Sequence, residues 1–452
     1  MDRRVQRAAT GRWLLIAIAG LVILAWSITR DIGYTRAYPG DLRNRVVGAR
    51  LVKDGRLPYF YKWAPRDGLR YYDPENCDSF RVSNITSSPF FHHLLSPVAD
   101  LPESTLNYGW LISEYLILAF MTVLCFFWAR TTEQKQTVLV ISLLFLLTNA
   151  WKAHTALGQT YLWVPAFAML FFVCVRKPGH FARGFAAGAI AGSFILVRIN
   201  AIFFFLPFLF LVSRYTRWWR IAFCLPLLLL AGWILTDRHE RALWQDYDAL
   251  LKESLKVHQN LGPTIQHNPP DPPIAQWEGI DRPAADKLSD AIQGSFHSEN
   301  GNVFVLVRLV FHHSLPPVVW QIVSVLLIIA FGGCFYFLHR PFATVSVWQV
   351  AIVAFCLYMI SDLFSPYYRH QYYTVQWLFP LLLAAACWEY RYRKAIRLLV
   401  ACLLLSIIHL PFLKMQNTIA EYALMATLLG FSLFTGAKKP SKTAPASAPL
   451  SA

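Results

Sequence analysis

Apolar runs of membrane-spanning length recur from one end of this chain to the other, and no other feature narrows its fold as far. Of its 452 residues, 56% are hydrophobic and only 15% are charged. Inside lipid the backbone must satisfy its own hydrogen bonds. Runs of this length without strand-like alternation do so as helices. The expected fold is all-α: a polytopic integral membrane protein with about twelve transmembrane helices (roughly ten to thirteen). They are placed near 12–29, 106–128, 135–151, 159–176, 183–197, 199–213, 219–236, 317–338, 344–362, 372–389, 395–411 and 418–435. The runs at 183–197 and 199–213 are short and meet at Val197-Arg198-Ile199-Asn200, where a hairpin that stops short of a full crossing is expected.

The formal charge of +16 would suit a nucleic-acid binder, but its placement excludes that class. Arg3, Arg4, Arg7 and Arg12 precede the first run. Arg130 and Lys135, then Arg176, Lys177 and Arg183, then Arg214, Arg217 and Arg220 fall in alternate short links. Arg340, then Arg391, Arg393, Lys394 and Arg397, then Lys438, Lys439 and Lys442 continue the alternation. This is the positive-inside bias, and it predicts a multi-pass protein of the inner (cytoplasmic) membrane with both termini in the cytoplasm. Trp13 to Ile28 reads as an uncleaved first span, because no small-residue cleavage site follows it. Residues 1–436 form a single expected domain, and 437–452, rich in Lys, Pro, Ser and Ala, an expected disordered tail. Of the eight cysteines only Cys77 falls in an outward loop, so no disulfide is expected there. No spaced His or Cys cluster is present, so neither a metal nor another cofactor is expected.

Two long loops face outward, 30–105 and 237–316. A loop as long as the first, dense in Asp, Arg, Tyr and His, needs a chemical reason to exist, and the active site is placed there with Asp41 at its centre. Leu42 to Asp54 reads as an amphipathic helix on the membrane surface, with Leu42, Val46, Val47 and Leu51 on one face. Residues 89–101 are too short to span and predict a re-entrant or interfacial helix. In the second loop Leu243, Tyr247, Leu250 and Leu255 form another apolar stripe, followed by a proline-rich connector from Pro263 to Pro273.

These pieces, in this order, resemble glycosyltransferase family 87, the DUF2029 group. The likeness begins with Gly40-Asp41 and continues through Gly48-Ala49-Arg50-Leu51-Val52-Lys53-Asp54-Gly55-Arg56-Leu57-Pro58-Tyr59. It includes Ser88-Pro89-Phe90-Phe91 through Leu94-Leu95-Ser96-Pro97 to Leu101-Pro102, then Leu157-Gly158-Gln159, then Ser365-Pro366-Tyr367-Tyr368-Arg369-His370. Leu42 stands where the family usually has an aromatic, Ser88 replaces the first Pro of a pair, and Arg198 replaces a common Lys. Region 237–316 has no counterpart. The resemblance implies a GT-C superfold and a polyprenyl-phosphomannose-dependent mannosyltransferase-like activity. A hexose such as mannose would pass, with inversion, from a polyprenyl-phosphate donor to a hydroxyl of a lipid- or glycan-linked acceptor outside the membrane. No nucleic-acid partner is implied.

That chemistry needs a base for the acceptor proton and cationic or hydrogen-bonding groups for the leaving phosphate. Asp41 suits the base, although after Pro39-Gly40 it also stands where a helix N-cap belongs. Asp31, Asp73 and Asp362 are the fallback carboxylates. Arg45, four residues on, would keep Asp41 ionised or contact phosphate. Arg369 and His370 with Tyr368, and Arg198, are the remaining phosphate ligands expected, although an arginine here could equally reach for lipid headgroups. His92, His93, Lys152, His154 and Gln159 are candidate acceptor-side residues. Glu114, two turns into the second span, reads as half of a structural ion pair with a cation such as Arg198. The rival functions are a transporter or flippase of lipid-linked sugars and a ligase or polymerase of preassembled glycans.

Overall fold

A computed structural model describes residues 3–37, 40–73, 83, 85–177, 179–258, 302–303, 307, 311, 315–340, 342, 345–365, 369–388, 392–408 and 416–434. The elements there are helical. The first eight are α1 (Arg3–Ala37), α2 (Gly40–Lys53), α3 (Pro89–Leu95), α4 (Glu103–Trp128), α5 (Thr132–Leu147), α6 (Asn149–Leu157), α7 (Trp163–Val175) and α8 (Phe181–Val197). The second half adds α9 (Ile202–Phe205), α10 (Arg217–Thr236), α11 (Arg238–His258), α12 (Pro317–His339), α13 (Val347–Leu363), α14 (Leu378–Cys387), α15 (Arg393–Leu405) and α16 (Gln416–Phe434).

Each expected span coincides with helix, but the helices differ in length. Among the described residues four are long and apolar enough to cross a membrane: Thr10–Arg36, Glu103–Trp128, Arg217–Thr236 and Pro317–His339. A fifth is reached if α5 and α6, bent by 60° at Thr148, count as one. Twelve full crossings are therefore not supported by helix length. The other apolar runs are shorter, or are interrupted by tight 3-10 turns such as Leu206–Arg214 and Gln371–Trp377. The segment after Arg198 is one such case: a 3-10 turn, the four-residue α9 and a second 3-10 run stand where a sixth span was expected.

The core is built around α13, every residue of which from Gln349 to Leu363 is buried. The same holds for α14 from Leu378 to Ala386. A helix that is apolar on all sides is covered on all sides. Phe204 meets Phe355 and Phe379 edge-to-face around this centre, the arrangement aromatic quadrupoles favour, and Phe194 packs tilted against Phe204. At the periphery α8 lies against α10 along Gly184, Gly188 and Gly192. A Cβ at these positions would collide with the Trp219 carbonyl, the Phe223 carbonyl and the Leu230 side chain respectively. Small residues four apart let two helix backbones approach this closely.

Above the core sits a compact layer made from both loops. The helix expected to lie on the membrane surface is instead buried from Leu42 through Val52, its arginines included. The physical reason is that those arginines find carbonyls. Arg43 donates to the oxygens of Tyr72 (2.9 Å) and Leu69 (3.1 Å), and Arg50 to those of Ala99 (2.7 Å) and Arg70 (2.9 Å). Gly48 gives α3 its seat, because a Cβ there would strike His92 and Ile85. The short helix expected within 89–101 is α3, capped by Ser88, whose hydroxyl accepts the Phe91 N–H at 3.3 Å. The stripe on α11 docks from the second loop: Leu243 and Leu250 are fully buried, and Tyr247 meets Tyr59 at 5.3 Å. The connector 263–273, the tail 437–452 and Cys77 lie outside what is described, as does the side chain of Leu255.

The glycine seam makes a direct prediction. Gly188→Leu should lower the thermal midpoint in detergent sharply, since overpacking costs about 1–3 kcal/mol even where side chains rather than backbone must yield. Gly232→Ala, where an added Cβ meets nothing within 4 Å, should leave it unchanged.

Candidate active site

Asp41 lies in the first turn of α2, one residue inside the helix rather than at its cap. Of the carboxylates weighed from sequence, Asp31, Asp73 and Asp362 are buried, while Asp41 keeps part of its surface open. One carboxylate oxygen accepts from the Asn44 amide at 3.4 Å, the other from the Gln159 amide. Gln159 also accepts from Arg45 at 2.7 Å, and Arg45 donates to the Asp41 carbonyl at 2.5 Å. Burial pushes the Asp41 carboxyl above the ordinary carboxylate value, and the Arg45 charge and the Asn44 hydrogen bond oppose that only in part.

A wall of aromatic rings and one guanidinium adjoins this carboxylate. Tyr372 is within electrostatic reach of Asp41, and Tyr161 of both Arg45 and Arg198. Tyr161 stacks on Tyr373 at 3.7 Å, and His370 stacks on Tyr372 at 4.9 Å. Arg198, at the end of α8 where the helix gives way to a 3-10 turn, lies over Tyr161 at 4.7 Å and Tyr373 at 5.4 Å. It donates to Asp362 at 3.1 Å, and its Nε has no hydrogen-bond partner among the described residues.

Arg369, expected at the phosphate, is held elsewhere. Its side chain is 2% exposed against 26% for Arg198. Its three nitrogens donate to Asp362 (2.8 Å) and, bidentately, to Glu421 (2.6 and 2.6 Å). Glu421 accepts the Trp377 N–H as well, at 2.6 Å. Two guanidiniums thus face two carboxylates, and Arg369 works through Asp362 to steady Arg198. Tyr368 lies outside the described residues.

The acceptor-side candidates divide. Gln159 joins Asp41, but as a fully covered residue (1% exposed) rather than one that faces a ligand. His92 is buried beneath Gly48, and its neighbour His93 turns away to pair with Glu240 of α11 at 2.6 Å. His154 pairs with Glu114 at 3.2 Å, both completely covered, so the structural partner of Glu114 is this histidine and not Arg198. Lys152 stays near Asn149 and Trp26, beside Asp31. Asp31 accepts from Arg30, Tyr115 and Trp151 at 2.7, 2.8 and 2.9 Å. It ties α1 to α4 and α6. Among the described residues no group of three or more His, Cys, Asp or Glu is arranged to hold a metal.

Sequence reasoning passed over Tyr161, Tyr372, Tyr373 and Glu421. Glu421 carried a readable signal, a carboxylate inside an apolar run, of the same kind that drew notice to Glu114. Tyr161 stands two positions beyond Gln159, and Tyr372 and Tyr373 two and three positions beyond His370.

The sequence profile of glycosyltransferase family 87 matches residues 86–268. That span holds Gln159, Tyr161 and Arg198, and ends short of Tyr372. Neither the curated proteins nor the solved structures compared include a match.

Two stability predictions follow from these contacts. Arg369→Met leaves the buried Glu421 carboxylate without a cation and Asp362 with Arg198 alone, and should cost about 3–5 kcal/mol, read as a loss of thermal midpoint or of folded yield. His92 is held neutral: burial, followed by the charge of His93, pushes its pKa down from 6.5 to about 3. Between those values the unfolded chain takes up a proton that the native protein refuses, so this contribution is intact above pH 6.5 and declines with acid, by on the order of 5 kcal/mol at the limit. Midpoints measured from about pH 7 to about pH 4 should fall less steeply in His92→Gln than in wild type.

Proposed function

We propose that this chain, whose residues 86–268 match glycosyltransferase family 87, is a glycosyltransferase that takes its sugar from a polyprenyl-phosphate donor. The acceptor is a hydroxyl of a lipid- or glycan-linked molecule on the outer side of a bacterial-type inner membrane. A hexose such as mannose is the default donor sugar, and transfer is a single inverting displacement.

In this reading Asp41 takes the acceptor proton as the new oxygen–carbon bond forms at the anomeric centre. The bond from that carbon to the phosphate oxygen breaks, and its electron pair leaves with the phosphate. Arg198 meets the departing charge. A guanidinium suits that role, because its donors match phosphate oxygens in shape as well as charge. Its pairing with Asp362 does not exhaust its donors, and the Tyr161 and Tyr373 rings beneath fix its plane. His370, exposed and stacked on the buried Tyr372, offers a ring face on which a sugar ring can rest.

The observation that carries this reading is the state of Asp41. It is a carboxylate that remains partly open in an otherwise buried helix, with its pKa raised by burial. A general base works best when its pKa approaches the working pH, and burial shifts a carboxylate in that direction.

The test is transfer by the purified chain, with labelled polyprenyl-phosphate sugars and a lipid acceptor fraction. Asp41→Asn should lower kcat by about 10²–10⁴-fold. The acid limb of the wild-type kcat should lie above the ordinary carboxylate value of 3.8. Full transfer by Asp41→Asn, with loss in Asp31→Asn or Asp73→Asn, would move the base elsewhere. Passage of intact donor across vesicles without cleavage would favour a transporter.

A further inference from the structure

Gln159 bridges the two ionised groups at the heart of the site. Chemistry fixes the orientation of its amide, since only the nitrogen can donate to a carboxylate and only the oxygen can accept from a guanidinium. The side chain therefore donates to Asp41 and accepts from Arg45. Arg45 is thereby drawn toward backbone oxygens, those of Asp41 at 2.5 Å and Gly158 at 3.3 Å, rather than toward the Asp41 carboxylate. A direct Arg45–Asp41 ion pair would leave the base a weak proton acceptor; the intervening neutral amide prevents it.

The turn that carries Gln159 is braced from below. Gly158 ends α6 in the left-handed conformation (φ 62°), which glycine adopts without strain. The N–H groups of Gly158 and Gln159 both donate to the His154 carbonyl, the latter at 3.0 Å. The His154 ring is paired with Glu114 of α4 at 3.2 Å. One turn earlier on α4, the Trp110 indole N–H donates to the Gln159 carbonyl at 3.2 Å. Two contacts from one helix thus fix the peptide whose side chain reaches the base.

We infer that Gln159 is a positioning residue of the transfer reaction: it aims the Asp41 carboxylate and keeps Arg45 off it, with Glu114 and His154 holding the turn that presents it. This rests on Asp41 being the base. Gln159 acts through Asp41 and not on the substrate, so its loss should appear in kcat and in the pH profile more than in donor KM.

The test uses the full-length chain in detergent or nanodiscs, with a polyprenyl-phosphate sugar donor, and two substitutions. Gln159→Met keeps the volume and removes both hydrogen bonds. Gln159→Glu keeps an acceptor for Arg45 but can no longer donate to an ionised Asp41. Both should lower kcat by roughly 10-fold or more with little change in donor KM, and Gln159→Glu should move the acid limb of kcat to higher pH, because a donor has been exchanged for a like charge. Glu114→Gln should show a smaller fall in kcat. If Gln159→Glu instead keeps wild-type kcat and pH profile, Gln159 serves only to tether Arg45 and the inference is overturned. A proportional rise in donor KM with kcat intact would also overturn it, by placing Gln159 on the substrate. Should Gln159→Met fail to fold, Gln159→Glu still decides. Asp41→Asn, run alongside, separates the cases: if it retains full activity, the functional reading fails, and if it alone is inactive, only the role of Gln159 does.

Discussion

A carboxylate beside a guanidinium stays a weak proton acceptor unless something neutral stands between them. Here that something is the Gln159 amide, pressed onto the first turn of α2 by the Gly158 turn. Much of the architecture around it serves this contact. α6 bends away from α5 by 60°, which delivers the turn to the loop layer instead of continuing along α5. α4 meets the turn through Trp110 and Glu114, and α1 is tied to the same neighbourhood through Asp31, Tyr115 and Trp151.

The second organising constraint is charge balance away from water. Arg198, Arg369, Asp362 and Glu421 form a chain in which each buried charge has a partner of opposite sign. Desolvating such ions costs several kcal/mol each, and only good geometry with full hydrogen bonding offsets that. The bidentate Arg369–Glu421 pair and the shared Asp362 meet the requirement. The reward is positional: Arg198 at the end of the chain is the member that retains exposure, its plane set by two tyrosine rings. In the proposed reaction it meets the phosphate with donors that its pairing with Asp362 leaves over.

The sequence made some of this legible and hid the rest for physical reasons. Helical spans followed from lipid's demand on the backbone, and the predicted runs hold α-helix except for 199–213, which is largely 3-10, yet length could not be read from apolarity. Buried helices such as α13 and α14 are as apolar as crossing ones, and only packing tells them apart. The burial of α2 was missed because arginines on one face argue for water. Arg43 and Arg50 instead satisfy carbonyls of a loop whose path periodicity does not encode. Asp41, Arg45 and Gln159, chosen from motifs, touch one another, while Arg198 and His370 reach the neighbouring tyrosine rings. Arg369 was misjudged because its partner Glu421 lies 52 residues away in another apolar run. His92 and His93 were separable in principle, since adjacent helical residues diverge, but not which would be covered.

The central claim is that an acceptor hydroxyl and a carrier-borne sugar meet between Asp41 and Arg198. The most direct measurement is an experimental structure of the chain with a non-cleavable polyprenyl-phosphonate sugar bound. The account predicts the phosphonate oxygens on Arg198, the sugar against His370 and Tyr372, and the open face of the anomeric carbon toward Asp41. A ligand whose phosphonate sits beside Lys152 and Asp31, or whose sugar lies out of reach of Asp41, would contradict it.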